Sequence, residues 1–439
     1  MQYFGTDGIR QKADKFTTDF LNSIASGLID YAGENIKVFI AGDTRESTER
    51  IIRDFETIFE SLGIEYASAG VLPTPAINYC FYQMGFDFAI DITASHNPYT
   101  DNGIKIFERG KKSGQKLCEK GRKTIESAIL NQKIIPLVSP TIQENLHEEA
   151  LDLYIEHLLN YLGKVDFTGL NIGIDCANGA TSVINSEIFQ KLGAHTTLIN
   201  CCKDYNTKIN LDCGSTHLES LTNLVVKNHL DFGIAFDGDG DRVLMVDDSG
   251  NIVDGDQIIA ILAKFLKLDA IAITVMANQG LLNWAKDSKI QTEITAVGDS
   301  NVAAAMQEKN IPIGGEQSGH IILPNEPTGD GMLTALMITK IISQQKSSLN
   351  ELASIITKFP QVIVNLDATP AQKSKLKASD AINSIISQFE QKVKSTCAGR
   401  LLVRPSGTEN LIRITVWGND KNKITDLANQ LKQDLINNL

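Results

Sequence analysis

Short apolar runs recur along the chain, each ending abruptly in a turn rich in Gly, Asp, Asn or Ser, which is how buried parallel strands feeding functional loops read. Ile36–Ala41 (IKVFIA) runs into GDTRES, Leu170–Ile174 (LNIGI) into DCANGAT, and Ala270–Val275 (AIAITV) into MANQG. Some tens of residues after each comes a second run: Phe88–Ile92 (FAIDI) before TASHNP, Phe232–Phe236 (FGIAF) before DGDGDR, and Ile311–Ile313 (IPI) before GGEQSGH. Segments with helical periodicity lie between them. The first sets Ile51, Phe55, Ile58, Phe59 and Leu62 on one face, with Ser47 and Thr48 as candidate caps and Gly63 as the stop. Strands joined through helices run parallel, and right-handed crossovers line up their loops at one sheet edge, where open α/β sheets bind ligands. One αβ plan used three times is predicted.

After about Pro360 the pattern changes. A strand at Val362–Leu366 precedes a helix at Ala378–Val393, with Ile382, Ile385, Ile386 and Phe389 inward. Strands at Arg400–Val403 and Ile412–Trp417 then flank RPSGTEN, and a helix at Lys421–Leu435 closes the pattern. The expected fold class is α/β: three similar αβ domains with mixed or parallel sheets plus a smaller C-terminal α+β domain, around a central cleft. The expected spans are residues 1–150, 151–252, 253–362 and 363–439. A chain of 439 residues is too long for one core, which agrees.

Composition narrows the class. With 42% hydrophobic and 21% charged residues and no low-complexity tract, the chain is neither disordered nor fibrous. Its 41 Lys+Arg against 53 Asp+Glu leave a net charge of −12 without a basic run, so no nucleic-acid partner is expected, although a local cationic pocket for a small phosphate is compatible. No apolar stretch reaches the ~18 residues of a membrane helix, and MQYFGTDGIR lacks a signal-peptide core, so a cytoplasmic protein without a membrane partner is expected. The seven cysteines contain no C-x-x-C pair, so neither a disulfide framework nor a zinc site is indicated. A homodimer is compatible with these features.

The loops carry the chemistry. DGDGDR sets Asp237, Asp239 and Asp241 at alternate positions with glycines between, so three hard oxygen ligands can turn to one side around Mg²⁺. A solvated acidic turn is the plain alternative. A calcium loop of the EF type fits less well, since Arg242 stands at its sixth position and Asp248 at its twelfth. TASHNPYTDNGIKIF puts Ser95 at a strand's end with His96, Asn97, Asp101, Asn102 and Lys105 nearby. Such a serine can be a nucleophile or a phosphate carrier, no G-x-S-x-G elbow supports a hydrolase, and a polar loop is the alternative. RPSGTEN with Arg413 beyond joins Arg404, two hydroxyls and a glycine backbone, a set that grips phosphate. In GGEQSGH, Glu316, Ser318 and His320 suit sugar hydroxyls and proton transfer, and in FGTDGIR, Arg10 can face either a phosphate or a carboxylate.

From residue 4 to residue 413 these segments, with INLDCGSTH at 209–217, resemble the α-D-phosphohexomutase family in motif order. The resemblance implies phosphate transfer between the 6- and 1-oxygens of one sugar, through a phosphoserine at Ser95 and a bisphosphate intermediate. It also implies one Mg²⁺ held by Asp237, Asp239, Asp241 and an oxygen on Ser95. Glu316 and Ser318 would read sugar hydroxyls, and Arg404, Ser406, Gly407, Thr408 and Arg413 would hold the phosphate that is not reacting. Arg10, His96, Lys105, Arg242 and His320 match family positions near the reacting phosphate, with Lys105 and His320 the proton-transfer candidates. The wording is nearest to members that interconvert glucosamine 6- and 1-phosphates. That implies a glucosamine 1,6-bisphosphate-type intermediate or activator, and supply of UDP-N-acetylglucosamine for peptidoglycan precursors. Action on mannose or glucose phosphates is the alternative, and a silent sugar-phosphate binder the minor one. Three positions depart from the family: Ser300 stands where Arg or Lys usually follows Asp299, Asn410 where Pro is common, and Trp417 where an acidic residue is common.

Overall fold

A computed structural model describes residues 1–5, 7–137, 145–406 and 410–439. The continuous apolar runs become central strands: Phe88–Ile92, Phe232–Phe236 and Ala270–Thr274 are buried at every position, as sheets covered on both faces require. Two units form, one from Met1–Met276 with Gln291–Ile355, the other from Ala277–Ile290 with Ile356–Leu439.

The first unit holds three sheets. In the first, the order is Phe4–Gly5, Gly8–Lys12, Asp101–Arg109, Phe88–Ile92, Lys37–Gly42, Glu65–Val71, with Gly114–Lys116 also paired to Asp101–Arg109. The last three of that order run parallel and the remainder antiparallel. The second sheet orders Ile252–Val253, Val243–Asp247, Phe232–Phe236, Asn171–Asp175 and His195–Ile199. The third orders Gln291–Thr295, Ala270–Thr274, Gly314–Gly315 and Ile321–Ile322. All three are mixed sheets, and they share one device: a parallel strand, a functional loop, then an antiparallel return strand. The functional loops thus close hairpins within each sheet.

Two local expectations are corrected. The IPI run does not form the third domain's strand, which is Gly314–Gly315. A Cβ on Gly314 would lie 2.6 Å from Met306 Sδ, and one on Gly315 2.5 Å from the His320 carbonyl, so these glycines permit close packing within a strand. The helix predicted between the first pair of strands follows an earlier helix at Thr18–Ala32 and begins at Glu46, which puts Ser47 and Thr48 inside it, and Arg45 at the cap position makes no side-chain cap bond. Thr48 Oγ1 instead donates to Asp43 Oδ1 at 3.3 Å. The inward face is as predicted, with Ile51, Phe55, Ile58 and Phe59 buried and each contributing ~1.5–3 kcal/mol, and left-handed Gly63 (φ 65°) ends the helix.

The second unit is a three-stranded antiparallel sheet ordered Gln361–Asp367, Leu411–Trp417, Arg400–Pro405. Helices Pro370–Ala378, Asp380–Cys397 and Lys421–Asn438 accompany it. Leu366, Ile382, Val393, Ile412, Ile414, Leu427 and Leu431 belong to its core. Residues Ala277–Ile290, assigned to the third domain by sequence, group with this unit. Asn278 is the link: its Nδ2 donates to the Phe359 carbonyl at 2.9 Å, while its Oδ1 accepts from the Phe359 N–H.

Candidate active site

Ser95 is the third residue of a tightly held loop, 93–100, between the strands Phe88–Ile92 and Asp101–Arg109. Its φ of 52° lies in the left-handed region, unusual for a residue with a side chain, and such strain persists only where the surroundings over-determine it. Its N–H donates to Thr93 Oγ1 at 2.8 Å, and Thr93 Oγ1 donates to Asp43 Oδ2 at 2.6 Å. Its carbonyl accepts from Arg45 Nη2 at 2.7 Å and from Asn210 Nδ2 at 2.8 Å. The buried hydroxyl donates to Asp237 Oδ2 at 2.8 Å and lies 3.3 Å from His96 Nδ1. Gly238 allows this approach, because a Cβ there would sit 2.7 Å from both Asn210 Nδ2 and the Ser95 carbonyl.

Asp237, Asp239 and Asp241 are buried, and each offers a ligand atom within 4.8 Å of the other two. Lys105, on the return strand Asp101–Arg109, reaches into them: Nζ is 2.7 Å from Asp239 Oδ2, 3.1 Å from Asp241 Oδ2 and 3.3 Å from Asp7 Oδ2. Burial favours a neutral amine, but Asp239, Asp241, Asp7 and Asp91 prevail and hold Lys105 well above the usual lysine range. Burial first, then Asp239 and Asp241, push Asp237 far up. Burial also works against ionised Asp241, yet Lys105, His320 and Arg242 keep it well below the ordinary carboxylate value. Asp239 Oδ1 and Asp241 Oδ1 are buried without a hydrogen-bond partner among the described residues. Uncommitted hard oxygens beside a third carboxylate fit a divalent cation, so the triad is suited to metal binding.

Around this centre the third domain's loop closes in. Gly319 (φ 94°) accepts from the Val243 N–H at 3.1 Å, an approach that only glycine permits, since a Cβ would meet the Val243 carbonyl at 2.2 Å. His320 is buried, its Nδ1 3.5 Å from Asp241 Oδ2 and its Nε2 accepting from the Gly329 N–H at 3.2 Å. Burial disfavours its charged form, but Asp241 and then Asp299 raise its pKa. Burial, with Arg242 and Arg10 nearby, pushes His96 down to about 4, so that ring is neutral near pH 7. Arg242 Nε is 3.9 Å from Asp237 Oδ2 and 3.8 Å from Asp241 Oδ1. Arg10 Nη2 donates to Asp7 Oδ2 at 2.7 Å. Glu316 is half-buried, its Oε1 accepting from the Gly298 N–H at 3.1 Å, and Ser318 is exposed on the same loop.

Sequence reasoning missed Lys116, whose ammonium binds both Asp7 and Asp299. It brings a cation against the neighbour of Ser300, the position where a basic residue was expected and is absent. Arg45, Asp43 and Asn210 were missed as well. The GDTR turn after the first apolar run was the visible signal for Asp43 and Arg45, since a charged pair at a strand's carboxyl end faces the ligand edge, and Asn210 lay within INLDCGSTH at 209–217.

In the second unit, Arg404 and Arg413 stand directly opposite on adjacent strands. Burial and then Arg413 lower the Arg404 pKa, and Arg404 Nε has no hydrogen-bond partner among the described residues, so this pair is poised for an anion. Ser406 is buried, and its carbonyl accepts from Lys373 Nζ at 3.1 Å. Gly407 and Thr408 lie outside the described residues. Trp417 is fully buried with the Arg400 guanidinium 4.1 Å from its ring centroid, so this departure serves packing. Exposed Asn410 accepts from the Ala368 N–H through its carbonyl at 2.9 Å, a contact independent of its side chain.

Family models match in four consecutive blocks: phosphoglucomutase/phosphomannomutase alpha/beta/alpha domain I at residues 1–134, domain II at 152–250, domain III at 254–359 and the C-terminal domain at 363–433. The chain belongs to the phosphoglucomutase/phosphomannomutase family, the phosphohexomutases, which are isomerases. Its similar curated relatives carry a narrower name. Phosphoglucosamine mutase of Caldicellulosiruptor bescii is 42% identical over 98% of this chain and 97% of its own length. Phosphoglucosamine mutase of Clostridioides difficile is 38% identical over 98% of both. Solved structures share the fold. A phosphoglucomutase/phosphomannomutase family protein from Burkholderia thailandensis has a TM-score of 0.78 at 20% identity, covering 99% of this chain and 97% of that one. Aspergillus fumigatus N-acetylphosphoglucosamine mutase, solved with GlcNAc-6P and magnesium, has a TM-score of 0.65 at 18% identity, covering 98% and 95%. Among the described residues no helix is long and apolar enough to cross a membrane.

Proposed function

We propose that this chain interconverts glucosamine 6-phosphate and glucosamine 1-phosphate, with Ser95 as the phosphate carrier and a glucosamine 1,6-bisphosphate intermediate. The observation that carries the reading is Ser95 Oγ at 2.8 Å from Asp237, in a loop held by groups from two domains and facing three buried carboxylates. Relatives named phosphoglucosamine mutase, 37–42% identical along the chain, supply the choice of sugar.

Phosphoserine at Ser95 gives its phosphoryl group to a free sugar hydroxyl: the P–Oγ bond breaks, a P–O bond to the sugar forms, and the hydroxyl proton leaves. After the bisphosphate turns around, its other phosphate returns to Ser95 Oγ. Asp237, Asp239, Asp241 and an oxygen on Ser95 would hold Mg²⁺, which when bound neutralises charge on the transferring group. In each half the proton of the attacking hydroxyl ends on the released oxygen. Neutral His320 takes it from the sugar hydroxyl in the forward half and from the Ser95 hydroxyl in the return half. Lys105, kept as an ammonium by its carboxylates, gives one to the leaving Ser95 Oγ or sugar oxygen, and transfer from His320 restores Lys105. Neutral His96, with Arg10 and Arg242, receives the reacting phosphate, and Glu316 and Ser318 read the sugar. Arg404, Ser406 and Arg413, with Gly407 and Thr408, bind a phosphate of the substrate, a local cationic device in a chain of net charge −12. The product would supply UDP-N-acetylglucosamine synthesis in the cytoplasm.

Turnover of glucosamine, glucose and mannose 6-phosphates, measured side by side with Mg²⁺, tests the reading. Glucosamine 6-phosphate should dominate kcat/KM, and dominant activity on mannose 6-phosphate would overturn the sugar assignment.

A further inference from the structure

Resting on the mutase reading above, we propose that Arg45 is a positioning residue for phosphoryl transfer: its buried guanidinium is the template that folds the Ser95 loop into its transfer-competent shape. Arg45 is completely buried, between the strand Lys37–Gly42 and the helix Glu46–Leu62. Nε donates to Asp43 Oδ2 at 2.9 Å. Nη1 donates to the carbonyls of Pro98 at 2.6 Å and Asp101 at 3.1 Å. Nη2 donates to those of Ser95 at 2.7 Å and Asn97 at 2.9 Å. A guanidinium has five N–H donors, and all five are engaged. None is left for a substrate, so Arg45 does not bind the phosphate it serves.

The effect on Ser95 follows from where the carbonyls go. Four backbone oxygens from residues 95–101 converge on one cation, which draws the negative ends of their dipoles towards Arg45. The Ser95 hydroxyl, carried on a backbone with φ 52°, is directed instead to Asp237. A loop free to relax would leave the left-handed region and could bring a carbonyl beside a dianionic phosphoryl group, an unfavourable neighbour. Asn210 from the second domain completes the template, donating through Nδ2 to the Ser95 carbonyl at 2.8 Å and to that of Asn97 at 3.2 Å. Lysine cannot substitute for Arg45, since an ammonium has three donors and no planar fork.

The test compares Arg45→Lys, which keeps the charge beside Asp43, with Ile24→Ala, a cavity in the first domain's core away from the loop. Steady-state kinetics are read on the preferred sugar phosphate, alongside the rate at which glucose 1,6-bisphosphate phosphorylates Ser95 by intact mass. Arg45→Lys should lower kcat and the Ser95 phosphorylation rate together by at least 30-fold, with KM within threefold of wild type. Ile24→Ala, at a comparable fall in Tm, should keep kcat within threefold. If Arg45→Lys does not fold, Asn210→Ala replaces it, with a kcat-selective loss of at least fivefold. The proposal is overturned by kcat within threefold for Arg45→Lys, by a rise in KM without loss of kcat, or by an equal kcat loss in Ile24→Ala. Wild-type protein that neither turns over sugar phosphates nor carries phosphate on Ser95 would instead sink the mutase reading, and this inference with it.

Discussion

Asp237→Asn should make the metal-free protein more stable and the working enzyme worse. The ligand oxygens of the three aspartates lie within 4.8 Å of one another, a separation at which two like charges repel by about 3.5 kcal/mol at an effective dielectric of ~20. Lys105 offsets this directly for Asp239 and Asp241, whereas the cation recorded against Asp237 is Arg242, at 3.9 Å and about 4 kcal/mol on the same scale. Two repulsions of about 7 kcal/mol against one attraction of about 4 leave a net cost of about 3 kcal/mol. The sign agrees with the carboxyl's raised pKa, caused by burial and then by Asp239 and Asp241. A carboxyl that holds its proton more tightly when folded stabilises the fold at low pH and loses that contribution as pH rises. Asparagine, neutral and of the same shape, removes the cost. In EDTA at pH 8 the variant should gain about 2–3 kcal/mol, which at 2–4 °C per kcal/mol raises Tm by roughly 5 °C. With Mg²⁺ at 100 times its Kd the wild type should gain about 2.7 kcal/mol and the variant far less. Turnover should fall at least about 100-fold, the equivalent of ~3 kcal/mol in the barrier. Melting curves in EDTA and across a Mg²⁺ series at pH 6 and 8, paired with turnover, decide it. A variant less stable than wild type in EDTA at pH 8, or one with an unchanged Mg²⁺ shift, refutes the reasoning.

Ser95→Ala should abolish both the added phosphate in intact mass and turnover, and wild-type turnover would exclude a phosphoserine route. Gly238→Ala forces a methyl to within 2.7 Å of Asn210 Nδ2 and the Ser95 carbonyl, so about 1–3 kcal/mol of stability and at least tenfold in kcat should be lost; unchanged kcat counts against the close approach. Asp330 caps the helix Gly331–Gln345 through the Leu333 N–H at 2.8 Å, and burial pushes its carboxyl up to about 7. The stability it contributes below pH 4 is therefore lost as pH rises through 7. Between pH 5.5 and 8.5 the loss is about 2 kcal/mol, which Asp330→Asn should flatten in hydrogen exchange of that helix. Arg404→Gln removes one charged partner of the anion pair, worth ~1.5–3 kcal/mol, and should raise KM about tenfold or more; an unchanged KM argues against a phosphate grip.

The parts of this architecture that depend on burial were readable from the chain. Phe88–Ile92 and Phe232–Phe236 are strands with the bounds that their runs predict, because a strand covered on both faces is built mainly of apolar residues, and the one buried carboxyl in them, Asp91, accepts from Thr74 Oγ1 at 2.6 Å. The return strand Asp101–Arg109 was not readable, since Asp-Asn-Gly is ordinary turn chemistry and it is pairing with Gly8–Lys12 that draws those three residues into the sheet. Of the site, Asp237, Asp239 and Asp241 announce themselves by alternation. Arg45 and Asn210 do not, because they act on a loop 50 and 115 residues away along the chain, and neither GDTR nor INLDCGSTH tells which loop its residue holds. Ser47 and Thr48 show the converse failure: good capping residues that tertiary contacts moved inside a helix.

The placing of Lys105 among carboxylates of a later domain bears on synthesis. Asp241 lies 136 residues downstream of Lys105, so at 5–20 residues per second a ribosome adds it about 7–27 s afterwards. During that interval the first sheet can form, but the ammonium at its edge has only Asp7, and Asp91 behind it, to answer it. A nascent first domain therefore has to leave Lys105 hydrated, and the drying of that edge waits for the second domain to arrive. Recovery of activity on refolding should accordingly lag behind recovery of secondary structure, with docking of finished domains as the slow step.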